Sequence, residues 1–231
     1  MKWRSLEEVS LANESRSLAE IFSERKALIA KYVPPEIQAI HQRVVDELKA
    51  SDIAHRTLQP GSKAPQFELS DHNGNPVRSA DLITNGTLVI CFIRGRWCPF
   101  CVGQLEAMNA IYPEMQKSGA TLVAISPQTV HQSSLMADQH KLRFSLLNDA
   151  GNRVAERFGL RYRVPEYQQE IYRRVFINLP FVNGDDSWTL PIPATYILDR
   201  DHNIRYSAAD PDYTSRPEPA GILQFLAQIP R

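Results

Sequence analysis

The sequence has 231 residues, with 26 lysines and arginines against 26 aspartates and glutamates and a net charge of zero. This balance argues against nucleic acid or an anionic membrane as a partner recognised through charge, because such proteins usually carry a basic excess. Hydrophobic residues make up 43% and charged residues 23%, which is typical of globular proteins. No apolar run reaches the ~18 residues of a membrane helix, and the start of the chain lacks the apolar segment of a signal peptide. We therefore expect a cytoplasmic protein that binds neither membrane nor nucleic acid.

Residues 1–58 are predicted to form a helical extension. Apolar residues recur at helical spacing in two groups, and Pro34 and Pro35 separate the groups. Pro35 followed by Glu36 suits a helix start, with a carboxylate near the positive end of the dipole. The segment carries no catalytic motif, so we interpret it as a packing or dimerising element, with recruitment of a partner as the alternative. The two groups are Leu18, Ile21, Phe22, Leu28 and Ile29, and Ile37, Ile40, Val44, Val45 and Leu48.

Residues 59–231 consist of short apolar runs separated by turn residues. Asn73 and Gly74 predict a tight hairpin turn, and the unbroken apolar run at 87–93 predicts a strand buried on both faces. The helix after this strand is expected to kink or break at Pro113. The alternation of strands and helices predicts an α/β sandwich with a mixed central sheet. Further strands are predicted at 121–125, 144–147, 195–198 and 204–206, and further helices at 131–140, 154–158 and 222–229.

Cys98 and Cys101 fall where the strand at 87–93 ends and the next helix begins. Unpaired N–H groups and the helix dipole favour a thiolate there, and Arg94 and Arg96 add positive charge. Two cysteines three positions apart on one turn can also form a disulfide, so the pair is predicted to be redox-active. The alternatives are two inert buried cysteines or half of a zinc site, which would need a second pair of ligands. Cys91 lies inside the strand and is interpreted as a core residue. We expect no metal and no cofactor.

The segment Trp97-Cys98-Pro99-Phe100-Cys101 resembles the redox motif of the thioredoxin superfamily. The wider pattern resembles the peroxiredoxin-like proteins of the alkyl hydroperoxide reductase/thiol-specific antioxidant family. This resemblance spans about residues 60–229 and implies a thioredoxin-like sandwich, here with a helical extension and an insertion at about 160–190. The segments that carry it are 61–69, 92–98, 125–128 and 148–160.

The resemblance also implies roles for residues around the cysteine pair. Trp97 would shield the disulfide and help to dock a partner. The segment 191–195 is similar to the proline loop of the family, which implies a cis bond between Ile192 and Pro193 facing the pair, with Thr195 as a supporting residue. The alternative is a trans proline ahead of an edge strand.

The sequence departs from the peroxiredoxin pattern at three positions. Members of the family carry a proline and a threonine or serine before the reacting cysteine and an arginine from a later strand. Counted from Cys101, these positions hold Arg94, Cys98 and Pro193. Arg94 or Arg96 is expected either to replace the missing cation or to be solvated. We predict Cys98 as the nucleophile because it lies at the more exposed edge of the helix start, although the register of the family points to Cys101.

Together these features predict a thiol-dependent oxidoreductase that reduces hydrogen peroxide or organic hydroperoxides through Cys98 and Cys101, with a thioredoxin-like or glutathione-linked reductant. The alternatives are a protein thiol-disulfide reductase of the thioredoxin or glutaredoxin type, and a non-catalytic redox-sensing module. In the insertion, Tyr167, Ile171 and Val175 predict a helical stripe after Pro165. The aromatic residues there are interpreted as core or dimer contacts rather than a substrate gate, and we expect a homodimer. They are Tyr162, Tyr167, Tyr172, Phe176, Phe181 and Trp188.

Overall fold

The computed structural model describes residues 16–84 and 86–229. Predictions made for residues 1–15, 230 and 231 lie outside the described residues. The strands are β1 Glu68–Asp71, β2 Pro76–Arg78, β3 Thr87–Phe92, β4 Ala120–Ser126, β5 Ser145–Asn148, β6 Arg161–Arg163, β7 Thr189–Pro191, β8 Ala194–Leu198 and β9 Ile204–Ala209. The helices are α1 Leu18–Tyr32, α2 Pro35–Ala50, α3 Ser79–Thr84, α4 Pro99–Lys117, α5 Val130–Gln139, α6 Arg153–Arg157, α7 Glu166–Arg174, α8 Leu179–Asn183 and α9 Pro219–Leu226.

Seven of the strands form one mixed sheet in the order β2-β1-β5-β4-β3-β8-β9. The neighbouring pairs β3–β4 and β4–β5 are parallel, and the other pairs are antiparallel. Strands β6 and β7 form a separate antiparallel pair that belongs to the insertion. The predicted mixed central sheet and the hairpin at Asn73 and Gly74 are therefore confirmed.

Strand β3 lies at the centre of the core because both of its faces are covered. Val89, Cys91 and Ile93 pack in one apolar cluster together with residues of α1, α4, α5 and α9. The alternate residues of the strand pack in a second cluster with residues of α3 and α6. This arrangement explains why the sequence run is apolar without alternation, and it places Cys91 in the core as predicted.

Two details of the helices differ from the prediction. Helix α4 does not break at Pro113 but continues to Lys117. The expected stripe on α7 is only partly present: Ile171 is buried, whereas Val175 follows the end of the helix and is exposed. The buried face of α7 is made instead by Gln168, Gln169, Ile171 and Tyr172.

The N-terminal helices pack against two different parts of the molecule. In α1, Phe22 meets Phe100 of α4 edge to face, with ring centroids 5.0 Å apart. In α2, Glu47 accepts a 2.5 Å hydrogen bond from the hydroxyl of Tyr167 on α7. The extension therefore connects the central helix α4 with the insertion. Among the helices of the described residues, none is long and apolar enough to cross a membrane.

Candidate active site

The cysteine pair lies at the start of α4, directly after β3. Cys98 precedes the first residue of the helix, and its N–H donates a 3.1 Å hydrogen bond to the carbonyl of Gly95. Gly95 has a φ of +142°, and a Cβ atom there would lie 2.8 Å from Nε1 of Trp97. A larger residue would be strained at this φ and would press on the Trp97 side chain, so glycine suits the turn that leads from the strand to Cys98.

Both cysteines are free thiols, and both are buried, with Cys98 1% exposed and Cys101 0% exposed. The prediction that Cys98 lies at a more exposed edge is therefore wrong. The cause is helix α1, which covers the first turn of α4: Arg25 donates a hydrogen bond to the carbonyl of Pro99 beside the Phe22 ring.

Cys101 is surrounded by hydrogen-bond donors and positive charge. The backbone N–H of Arg94 donates to its Sγ at 3.4 Å, and Nη2 of Arg216 lies 3.8 Å from the same sulfur. Burial opposes ionisation, but the hydrogen bond from Cys98 and the charges of Arg216 and Arg94 outweigh it and lower the pKa of Cys101. Cys101 is the sulfur that this site favours as a thiolate.

Cys98 has the opposite character. Burial raises the pKa of its thiol, and the hydrogen bond to Cys101 together with the charge on that sulfur raises it further. The two cysteines therefore differ chemically. Cys101 is favoured as the thiolate and so as a nucleophile, whereas Cys98 is favoured as the thiol, which is available as a proton donor.

Arg94 is not solvated but buried, with 3% of its surface exposed. Its Cζ lies 4.7 Å from the ring centroid of Trp97 and 4.4 Å from that of Tyr213, and Nη2 donates a hydrogen bond to the hydroxyl of Tyr172. The charge of Arg94 thus faces the cysteine pair from within a set of aromatic rings. The ring of Trp97 packs in turn against Tyr172, with centroids 5.3 Å apart.

Arg96 is bonded to two glutamines near α5. Its backbone N–H donates to Oε1 of Gln128 at 2.9 Å, and Nη1 donates to Oε1 of Gln132 on α5 at 3.1 Å. These bonds fasten the loop to the neighbouring helix. Of the two arginines before the motif, the structure brings only Arg94 to the cysteine pair.

A chain of polar side chains connects β8 with Cys101. Nε2 of Gln104 donates to Oγ1 of Thr195 at 3.1 Å, and Oε1 of Gln104 accepts from Nε of Arg216 at 2.8 Å. Thr195 thus reaches the site indirectly, through Gln104 and Arg216. Sequence reasoning missed both: the position of Gln104 one turn after Cys101 is a usable signal, but no motif marks Arg216.

Pro193 lies just before β8, buried at the edge of the site. Because Ala194 pairs with Phe92, Pro193 stands one residue past the last pair of β3 and β8. The described residues contain no cis peptide bond, so the expected cis bond at Ile192–Pro193 is wrong. The chain stays extended here, with the N–H of Ile192 bonded to the carbonyl of Leu160, and an extended segment suits the ordinary trans bond.

The aromatic residues of the insertion divide into two groups. Tyr172 is buried against Arg94, and Tyr162 also faces that guanidinium. Phe176 and Phe181 are 95% and 69% exposed. The insertion therefore contributes directly to the site. The prediction from the sequence, which treated its aromatic residues as core or dimer contacts, did not include this role. In the part of the chain that the structure describes, no cluster of three or more histidines, cysteines or acids could hold a metal ion.

A mixed sheet whose central strand leads into a helix with cysteines in its first turn is the architecture of the peroxiredoxin class of thioredoxin-like folds. The sequence profile described as the AhpC/TSA family matches residues 60–207, and the chain belongs to this family. Arg216, Tyr213 and the N-terminal helices lie outside the matched segment.

Relatives and solved structures agree with this placement. The chain is 31% identical over 140 residues to the chloroplastic peroxiredoxin Q of Sedum lineare, covering 61% of this chain and 63% of the relative. It is 30% identical over 143 residues to that of Arabidopsis thaliana, covering 62% and 56%. The chain thus spans less than two thirds of the length of these relatives.

Two solved structures illustrate the shared fold. Peroxidoxin BcpB of Mycobacterium tuberculosis superposes with a TM-score of 0.60 at 21% identity, covering 75% of this chain and 99% of that one. Peroxiredoxin Q of Xanthomonas campestris superposes with a TM-score of 0.55 at 17% identity, covering 70% and 89%. The predicted thioredoxin-like sandwich is confirmed.

Proposed function

We propose that this protein is a thiol peroxidase that reduces hydrogen peroxide or organic hydroperoxides. One observation carries the proposal: the sulfur of Cys101 lies 3.4 Å from the N–H of Arg94 and 3.8 Å from the guanidinium of Arg216, next to a second thiol. A buried thiolate held among cations suits attack on a small neutral oxidant. The names of the relatives, peroxiredoxin Q, support the same activity.

Cys101 is the nucleophile in this proposal. Its thiolate attacks the terminal oxygen of the peroxide, so that an S–O bond forms while the O–O bond breaks. The leaving oxygen develops negative charge, which the guanidinium of Arg216 and the buried charge of Arg94 stabilise. The Cys98 thiol supplies the proton with which this oxygen departs as an alcohol or water. Cys101 is oxidised to a sulfenic acid, and the peroxide is reduced.

Cys98 completes the cycle. Having lost its proton, Cys98 attacks the sulfur of the Cys101 sulfenic acid, a disulfide forms, and hydroxide leaves and is protonated to water. An external dithiol, thioredoxin-like or glutathione-linked, then returns two electrons and two protons to the pair. This order assigns attack to Cys101 and resolution to Cys98, the reverse of the sequence-based choice.

Trapping the sulfenic acid tests the assignment. With one equivalent of hydrogen peroxide, Cys98→Ser should accumulate a sulfenic acid on Cys101 that a dimedone-type reagent labels and mass spectrometry locates. Cys101→Ser should show neither label nor peroxide consumption. Cys91→Ser is the matched control, because burial raises the pKa of Cys91 to about 12 and its loss should leave turnover intact. Label on Cys98, or turnover without both cysteines, would overturn the proposal.

The burial of both sulfurs counts against the alternative of a general protein disulfide reductase. In the reduced form both cysteines are buried, beside the contacts that Phe100 makes with Phe22 of α1 and with Tyr213, and this favours a small peroxide over a protein disulfide as the oxidant that reaches them. Reduction of insulin disulfides without any turnover of peroxide would favour that alternative. Failure of both assays would favour a redox-sensing module without catalysis.

The remaining expectations on setting belong to the same proposal. Three free cysteines suit the reducing environment of the cytoplasm. We infer a homodimer, since Phe176 and Phe181 expose a large apolar area on the insertion. Sedimentation should then give a dimer for the unaltered chain and a monomer for Phe176→Asp; a monomer in both cases contradicts the inference.

A further inference from the structure

Arg94 is a buried cation without an acidic partner. Its guanidinium donates to the hydroxyl of Tyr172, and in the described part of the chain it makes no ion pair with a carboxylate. The groups that face it are rings, other phenols and the two cysteine sulfurs. They are Trp97, Cys98, Cys101, Tyr162, Tyr172 and Tyr213. The positive charge of Arg94 also acts on His41 of α2 and lowers the pKa of its imidazole.

Tyr172 is itself held from several sides. Its side chain is 1% exposed, its ring packs against Trp97, and the ring of His41 lies 6.0 Å away. One turn earlier on α7, Gln168 is within hydrogen-bond distance of Nδ1 of His41, at 3.2 Å. The hydroxyl of Tyr172 is therefore held in one position and accepts a directional hydrogen bond from Arg94. The ring faces of Trp97 and Tyr213 attract the guanidinium but do not fix its position in the same way.

We propose that Tyr172 is a positioning residue, whose hydroxyl holds the guanidinium of Arg94 where its charge faces the reacting sulfur. The inference rests on the proposed function, in which Cys101 reacts as a thiolate. It gives the insertion a role in the chemistry: α7 supplies the Tyr172 hydroxyl as a buried acceptor for this long, flexible cation, and Tyr162 of β6 offers a second phenol that hydrogen-bonds to it.

The pH dependence of the site can isolate this role. Burial and the charge of Arg94 lower the pKa of His41 to about 4, so His41 is neutral near physiological pH. Burial raises the pKa values of Tyr162, Tyr172 and Tyr213, so these phenols are also neutral. Among the described groups named above, Cys101, which also contacts Arg216, is then the one that changes its charge between mildly acidic and neutral pH.

The test is the substitution Tyr172→Phe, which keeps the ring and removes only the hydroxyl. The expected result is a rise of about one unit in the pH at which the Cys101 thiolate forms, seen by ultraviolet absorbance. Relative to the unaltered chain, kcat/KM for hydrogen peroxide should fall about tenfold further below that pH than above it. Tyr167→Phe is the matched control, because it removes another hydroxyl of α7, one that bonds to Glu47 instead of Arg94. Neither the thiolate titration nor the pH profile of kcat/KM should change in this variant.

A second comparison separates positioning from a general structural effect. In an Arg94→Gln background, Tyr172→Phe should have no further effect on thiolate formation, because its hydroxyl acts through Arg94. Additive effects, or an unchanged thiolate titration in Tyr172→Phe, would overturn the inference. The titration needs no peroxide, so an unaltered chain that forms the thiolate without consuming peroxide would refute the proposed function and leave the positioning result readable.

Discussion

Arg216 places a guanidinium nitrogen 3.8 Å from the sulfur of Cys101. It comes from the segment after β9, and Gln104 fixes its direction through a 2.8 Å bond to Nε. The position at which the family resemblance implies an arginine is occupied by Pro193. A guanidinium therefore approaches Cys101 from a different part of the chain, and its effect on that sulfur can be measured.

We predict that Arg216→Gln raises the pKa of Cys101. A thiolate is fully formed above its pKa and is lost as the pH falls through it, so the variant should lose most kcat/KM at acidic and neutral pH. At alkaline pH it should recover in part, and the remaining loss is the missing stabilisation of the leaving oxygen. The pH profile of hydrogen peroxide reduction checks this. Arg205→Gln is the control, since Arg205 is half exposed and lies 3.7 Å from Asp199. A uniform loss at all pH values would contradict the electrostatic explanation.

The cysteine pair was predictable from the sequence because its chemistry is local. A strand, a short turn and a helix start are neighbours along the chain, so Arg94, Trp97, Cys98 and Cys101 could be placed together. Arg216 joins them only through the tertiary fold. The predicted exposure of Cys98 was wrong for the same reason, because segments distant in sequence cover the start of α4.

The close contact between helices α1 and α4 depends on a glycine, Gly103, on α4. A Cβ atom at Gly103 would lie 3.0 Å from Cε1 of Phe22 and 3.0 Å from Cζ of Arg25. The carboxylate of Glu218 also accepts the N–H groups of Leu18 and Ala19 at 2.9 and 2.7 Å, so it holds the start of α1. These contacts keep α1 over the cysteines.

We predict that Gly103→Ala costs about 1–3 kcal/mol of stability, because the added methyl group overpacks the contact between the helices. The displaced α1 should also let iodoacetamide reach Cys98 faster. Gly221→Ala is the control: no atom lies within 4 Å of its added Cβ, so the better helix propensity of alanine should stabilise α9 by up to about 1 kcal/mol. Denaturant unfolding measures both, and equal effects would contradict the packing argument.

Most helices and strands could be predicted because each has a clear apolar period or turn signal. The continuous run of β3 and the pair of prolines between α1 and α2 are examples. The insertion was harder, because α7 buries Gln168 and Gln169, which no apolar pattern marks. Polar side chains are buried there since they bond to backbone and to His41, and such partners are visible only in three dimensions.

In the whole molecule, three segments outside the central sheet and its flanking helices each place a side chain near Arg94. The N-terminal extension brings His41, the insertion brings Tyr172, and the segment after β9 brings Tyr213. The first and last lie outside the segment matched by the family. The parts of the chain that looked least informative in sequence therefore enclose the site.

The buried charge of Arg94 predicts a difference in stability between the two redox forms. The reduced protein can balance this charge with the Cys101 thiolate, but the disulfide is neutral and leaves it unbalanced. Oxidation should therefore lower Tm more in the unaltered chain than in Arg94→Met, where the fully buried cation is gone and only Arg216 remains beside Cys101. Calorimetry of both forms decides this, and an equal change in the two proteins would contradict it.

The same imbalance bears on the reduction potential of the pair. A protein that is more stable reduced than oxidised has a disulfide that accepts electrons readily, so its potential lies toward the oxidising end of the thioredoxin-like range. An ordinary cellular dithiol could then reset the enzyme without a specialised donor. In the proposed mechanism the guanidinium of Arg94 thus has two effects: it stabilises the leaving oxygen of the peroxide and it favours the reduced form of the cysteine pair.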